Sequence, residues 1–125
     1  MSDTAKQTIL VVDDEALLAL ELEMILKEAG YRVLGPAHSI DRALKLIEGE
    51  PPDGAVLDVN LGTGRSDPIA DLLAEMGVPY LFLSGHARDV LGERHRDRTL
   101  VSKPYREAEL LAAVAALGSS GDARG

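Results

Sequence analysis

Two apolar periods alternate along the chain. Thr8–Val12 ("TILVV") is a short continuous apolar run, suited to a strand buried on both faces. Residues 15–29 ("EALLALELEMILKEA") are rich in helix formers and closed by Gly30. "YRVLGPA" reads as a second strand. Ser39 then offers a helix N-cap ahead of Ile40, Ala43, Leu44 and Ile47, spaced i, i+3, i+4, i+7. "GAVLD" at 54–58 is a third strand. Ile69, Leu72, Leu73 and Met76 repeat the helical stripe, introduced by Ser66-Asp67-Pro68 and closed by Gly77. "VPYLFLS" at 78–84 and "TLVS" at 99–102 supply strands four and five, and a last helix over 106–117 ends at Gly118. Gly92 and several charges dilute any stripe over 86–98, so a short or mobile helix is expected there.

Near-continuous apolar strands separated by amphipathic helices predict a (βα)5 α/β fold, a parallel sheet covered on both faces. The expected organisation is a flexible N-terminus at 1–7, one domain at 8–118, and a polar, Gly-rich, disordered tail at 119–125.

Composition narrows the chemistry. The chain has 125 residues, enough for one real core, and 46% of them are hydrophobic but only 3% aromatic, so Leu, Val, Ile and Ala must build that core. The absence of cysteine removes disulfides, thiolate catalysis and Cys-ligated zinc. A net charge of −8 argues against nucleic-acid binding, because that relies on Lys and Arg neutralising phosphates. The one basic cluster, "GERHRDR" at 92–98, contains Glu93 and Asp97 and reads as a solvated loop or short helix. No apolar run approaches membrane-spanning length and no secretory h-region opens the chain, so a cytoplasmic location without membrane contact is expected.

Ligands of open α/β sheets bind beyond the carboxyl ends of the strands. Those ends carry Asp13-Asp14 on strand one, Asp58 on strand three, Ser84 on strand four and Lys103 after strand five. Each alone has a bland reading: a helix cap, an Asx turn, a turn hydroxyl, a snorkelling lysine. Together they place three carboxylates, a hydroxyl and an ammonium on one rim. Two like charges about 4 Å apart repel by roughly 4 kcal/mol at an effective dielectric of about 20, so the carboxylates need compensation. Lys103 supplies one positive charge. A hard divalent cation, Mg²⁺ by its taste for oxygen ligands, would supply two.

"ILVVDDE", "AVLDVNL", "FLSG" and "VSKPY", in this order and spacing, resemble the receiver domain of bacterial two-component response regulators. The resemblance spans roughly residues 8–117 and implies a flavodoxin-like sheet of order 2-1-3-4-5. It makes Asp58 the phosphoacceptor, served by a sensor histidine kinase or a histidine phosphotransfer protein. It makes Asp13 and Asp14 the acidic pair for Mg²⁺, Asp14 directly and Asp13 through water, with Asp58 and the backbone carbonyl of Asn60 as further ligands. Ser84 and Lys103 match the residues that bind the phosphoryl group, and Lys103–Pro104 is expected to be cis.

The chain departs from the pattern at Leu100, three residues before Lys103, where most receivers carry a switching aromatic; Tyr105 is a candidate substitute, with core packing an equal alternative. Ser84 and Lys103 lie 19 positions apart (84 to 103), a little short for the family. "PYLFLSGH" followed by "SKPY" resembles the alphaproteobacterial single-domain subgroup named for its "FATGUY" motif, although Leu83, Ser84 and His86 differ from its usual residues. His86 stands where it could tune loss of the phosphoryl group, or have no role, and His38 and His95 read as surface residues. No output module follows 118, so the resemblance implies a stand-alone regulator and not an enzyme. Its output would be a protein contact through the face formed by 86–98, strand five and the last helix, or a role as phosphate shuttle or sink. The alternatives are a small Mg²⁺-dependent phosphohydrolase with an aspartate nucleophile, or a phosphorylation-independent adaptor. Haloacid-dehalogenase enzymes carry D-x-D-x-T after strand one, which "VVDDEAL" does not match.

Overall fold

The protein is described by a computed structural model covering residues 7–61, 64–85, 95 and 98–124, the stretch 118–124 as backbone only. Its elements run β1 (Thr8–Val12), α1 (Ala16–Glu28), β2 (Arg32–Ala37), α2 (Ile40–Gly49), β3 (Gly54–Asp58), α3 (Asp67–Met76), β4 (Tyr80–Ser84), β5 (Leu100–Ser102) and α4 (Glu107–Arg124). All strand pairs are parallel, in the order β2-β1-β3-β4-β5. This is the flavodoxin-like sheet that the apolar pattern and the motifs imply.

The three central strands β1, β3 and β4 are buried along their whole length, which is why they read as unbroken apolar runs. Alternate side chains leave opposite faces of a strand, so each strand feeds two layers. Leu10, Val12, Ala55, Leu57, Tyr80 and Phe82 pack in one layer with Ala43, Ile47, Ile69 and Leu73 of α2 and α3. Ile9, Val11, Val56, Leu81, Leu83 and Val101 pack in the other with Leu22 and Leu26 of α1 and Leu110, Val114 and Leu117 of α4.

The local punctuation works as its chemistry suggests. Ser39 accepts a hydrogen bond from the Arg42 N–H at 3.2 Å. Gly77 takes φ +76 and ends α3, with its N–H bonded to the Ala74 carbonyl and Val78 N–H reaching back to Leu73 at 2.9 Å. That reach-back, and Pro79 without an N–H, delay β4 until Tyr80, two residues later than expected.

Further features run against the sequence reading or go beyond it. The expected stop at Gly118 is passed, and α4 is helical to Arg124, so the segment expected to be a disordered tail is helical over 119–124; extending a formed helix adds a bond per residue without a new nucleus. In β2 the register against β1 shifts between Leu10 and Val12, at a cis Gly35–Pro36 bond. Gly35 has φ +100 there, and a side chain would meet Ala37 N at 2.7 Å. His95, expected at the surface, is only 2% exposed, because partners far along the chain enclose it. His38 is exposed, as expected. The expected helix over 86–98 lies outside the described residues except for His95 and Arg98, which form one tight turn, Arg98 N–H to His95 carbonyl at 3.0 Å. Among the described residues no helix is long and apolar enough to cross a membrane.

Candidate functional site

The sheet order reverses around β1, whose two neighbours are β2 and β3, so the crevice used by open α/β sheets opens at the carboxyl ends of β1 and β3. Asp13 follows β1 and Asp58 ends β3. Alternation gives Asp13, Asp58 and Lys103 the facing of Val11, Val56 and Val101, two residues earlier in each case, all in the layer under α1 and α4. The three polar groups therefore meet above one layer of the core.

Their geometry is tight. Lys103 Nζ stands 3.2 Å from Asp13 Oδ2, 3.2 Å from Asp58 Oδ2 and 3.5 Å from Glu15 Oε1. Asp13 is fully buried and its Oδ1 accepts from Glu15 N–H at 2.9 Å, so this carboxylate both caps the turn into α1 and holds the ammonium. Asp13 is anchored further by its carbonyl, within 2.9 Å of His38 Nδ1. Carboxylate oxygens of Asp13, Asp14 and Asp58 all lie within 4.8 Å of one another, Asp14 exposed and the other two buried. Oxygen ligands at this spacing, with an exposed edge for water and a further ligand, fit a hard divalent cation.

The electrostatics show under-compensation. Burial pushes the Asp58 carboxyl from 3.8 up to about 6; Lys103 pulls it down, Asp13 pushes it up, and Asn60 N–H lowers it by hydrogen bonding. Burial alone would lower Lys103, but Asp58 and Asp13 hold it above its usual value. One ammonium shared among three carboxylates stays charged without offsetting the desolvation of Asp58.

The remaining expected residues take distinct places. Ser84 is buried at the end of β4, one position past Leu83, which pairs with Asp58; its carbonyl accepts from Lys103 N–H at 2.7 Å. Asn60 sits just beyond β3 in a turn closed by Leu61 N–H to Gly64 carbonyl, 2.8 Å. Lys103–Pro104 is cis, as expected. Leu100 is 40% exposed at the sheet edge, so no aromatic fills that position. Tyr105 is half-buried against the layer of α1 and α4, and its hydroxyl, buried, makes no hydrogen bond among the described residues. Burial, then Glu21, push that hydroxyl to about 12. Tyr105 borders a groove of about 340 Å³ with Leu18, Glu21, Gly85, Lys103 and Pro104. His86 lies outside the described residues. Glu15 was missed at the sequence level, and its signal was there: the acid after Asp13-Asp14 turns back toward the rim.

The sequence matches the response regulator receiver domain over residues 9–115. The chain belongs to the response regulator receiver family. Relatives of this receiver include the phyllosphere-induced regulator PhyR of Methylorubrum extorquens, 33% identical over 110 residues, 85% of this chain and 41% of PhyR. The DNA-binding response regulator MtrA of Mycobacterium tuberculosis is 35% identical over 120 residues, 91% of this chain and 51% of MtrA. The chain thus spans about half the length of these curated relatives. The solution structure of SdrG from Sphingomonas melonis Fr1 superposes with a TM-score of 0.79 at 37% identity, covering 90% of this chain and 97% of SdrG. A structure of the BeF3-activated conformation of SdrG superposes at 0.75 with 36% identity, covering 89% and 95%. Receivers are signalling domains, generally without enzymatic activity, that take phosphoryl groups from donors such as histidine kinases, and this receiver has alphaproteobacterial neighbours among its relatives.

Proposed function

We propose that Asp58 is the phosphoacceptor of this receiver. The observation that carries the reading is the contact of Lys103 Nζ with both Asp13 and Asp58 at 3.2 Å, in a cluster of three carboxylates at the switch point of the sheet. An ionised Asp58 oxygen attacks the phosphorus of a phosphohistidine. The new P–O bond forms as the P–N bond breaks, and the electron pair returns to the donor imidazole, which takes up a proton. Lys103 is placed to follow the charge that spreads over the equatorial oxygens, and Ser84 lies beside it to bind the phosphoryl group. Asp13 and Asp14, with Asp58 and the Asn60 carbonyl, would hold Mg²⁺. Bound there, Mg²⁺ supplies the positive charge that the carboxylates and the incoming phosphoryl group lack.

The phosphodonor is a sensor histidine kinase or a histidine phosphotransfer protein. The output is a phosphorylation-dependent protein contact, or passage of the phosphoryl group onward as a shuttle or sink, by a chain acting as a stand-alone cytoplasmic regulator. The face joining the segment before β5, β5 and α4 is the surface for the downstream partner. His86 and Tyr105 are candidate modulators of the phosphoryl lifetime and of switching.

The test is beryllofluoride with Mg²⁺, the reagent named for the activated SdrG structure. Amide signals of 58–61, 84–85 and 103–106 should shift at saturation, and Asp58→Asn should abolish the response. Unchanged spectra in the wild-type chain would overturn the assignment. With a phosphorylated donor, Asp58→Asn should likewise take up no label.

A further inference from the structure

Before β5 the chain is gripped by a second buried polar cluster that the phosphoacceptor reading leaves unused. His95 Nε2 lies 2.8 Å from Asp71 Oδ1 of α3, and its Nδ1 is hydrogen-bonded with the Tyr80 hydroxyl of β4. A neutral imidazole satisfies both: Nε2–H donates to the carboxylate and the tyrosine hydroxyl donates to Nδ1. The ring also packs edge-on against Tyr80 and Phe82, with centroids at 5.5 and 5.9 Å. From the following turn the Arg98 guanidinium lies 4.4 Å from the centroid of the Tyr80 ring. Two side chains three residues apart thus hold one tyrosine.

β5 needs such a hold. It pairs with β4 through three residues, and only Val101 among them is buried. A one-residue slip of a strand turns every side chain to the other face, which here would turn Lys103 away from Asp13 and Asp58. One buried valine is a weak guard against that slip. The ladder bonds Phe82 N–H to Thr99 carbonyl and Lys103 N–H to Ser84 carbonyl, at 2.9 and 2.7 Å, fix the register only while the chain enters the sheet at the right point.

We propose that Asp71, His95 and Tyr80 form a positioning clamp that sets the register of β5 and so delivers the Lys103 ammonium to the acceptor. The role in phosphoryl binding rests on the assignment of Asp58 above; the role in register does not.

The experiment uses the full chain with Tyr80→Phe, which keeps the ring and removes the hydroxyl, and Asp71→Asn, which changes only the half-exposed end. Amide hydrogen exchange is read at Phe82 and Lys103 against Val56 and Leu57. Affinities are measured for Mg²⁺ alone and for beryllofluoride at saturating Mg²⁺. Loss of one buried hydrogen bond should speed exchange at Phe82 and Lys103 by about five-fold beyond any acceleration at Val56 and Leu57, and weaken beryllofluoride by a similar factor. Mg²⁺ affinity should stay within about two-fold, because the carboxylates are untouched. Unchanged exchange at Lys103, or equal acceleration throughout the sheet, would overturn the clamp. Faster exchange at Lys103 with unaltered beryllofluoride affinity would overturn its link to the acceptor. Failure of the wild-type chain to bind beryllofluoride would instead overturn the Asp58 assignment, while the exchange result would still judge the register.

Discussion

Two polar clusters lie at opposite ends of β4, and they are built on opposite principles. At the amino end, Tyr80, His95 and Asp71 share hydrogen bonds in which the imidazole has a partner on each nitrogen. At the carboxyl end, Asp13, Asp58 and Glu15 surround Lys103 with Asp14 beside them, and burial leaves Asp58 displaced to about 6. A matched cluster stabilises a packing arrangement, since each buried polar group has an answer. An unmatched one stores repulsion that only a ligand relieves, which is a signature of a site. Both clusters join buried groups to an exposed carboxylate, so the difference lies in how the charges in each are balanced.

The largest effect should come from worsening the mismatch. Lys103→Met keeps most of the stem but leaves buried Asp13 and Asp58 without their cation. Removing one partner of a buried pair typically costs about 3–5 kcal/mol. In metal-free buffer at pH 7, urea unfolding should show a loss of that order, shrinking as pH falls and Asp58 takes up a proton. A loss under about 1 kcal/mol would mean that solvent already screens the cluster.

Relieving the mismatch should work the other way. The folded-state pKa of Asp58 lies above its unfolded value, so the unfolded chain ionises first as pH rises. Stability is therefore lost between pH 3.8 and about 6, and the penalty is complete above that. Asp58→Asn removes it. At pH 7 without metal the variant should gain about 3 kcal/mol, falling to nothing below pH 4. Saturating Mg²⁺ should shrink the gain, because the wild-type chain then has its compensating charge. A gain independent of pH would show that packing rather than charge is responsible.

The contrast between the clusters also marks what sequence could reveal. Asp13, Asp58 and Lys103 were legible because each ends an apolar run, and parallel strands bring such ends to one rim regardless of detail. The glycine stops at 30 and 77 were legible because a left-handed residue after a helix is a local matter. His95 was not. Its neighbours Arg94, Arg96 and Asp97 suggest a solvated stretch, while its partners stand 15 and 24 positions away in β4 and α3. Burial set by contacts at that distance leaves no local period to read. The slip in β2 at Gly35-Pro36 was hidden for the same reason, since register is a property of two strands.

The matched cluster offers a gentler break. Tyr80→Phe keeps the apolar layer and removes one hydroxyl, leaving His95 Nδ1 without that donor in a buried setting. The expected loss is about 1–2 kcal/mol in urea unfolding. Unlike the Asp58→Asn effect, it should not change with Mg²⁺, since no cation is answered there. A Mg²⁺-dependent loss would mean that the two ends of β4 are coupled more tightly than the hydrogen bonds indicate.

The smallest effect should come from restoring an aromatic at Leu100. That side chain is 40% exposed on an edge strand, so Leu100→Phe adds area that the core does not enclose. Stability should move by no more than about 0.5 kcal/mol, as for other surface substitutions. Beryllofluoride affinity should hold as well, because Lys103 reaches Asp58 through the backbone of β5 and its bond to Ser84, not through the side chain at 100. A shift of about ten-fold in that affinity would correspond to 1.4 kcal/mol passing between the exposed edge and the rim. Transfer on that scale requires an inward position for the aromatic. Leu100 pairs with Phe82, and alternation turns its side chain to the face opposite Val101 and Lys103, so an inward aromatic would press on the Phe82 ring. A changed Phe82 ring signal in the Leu100→Phe chain therefore separates an aromatic that stays outside, as the exposure of Leu100 dictates, from one that packs inward against β4.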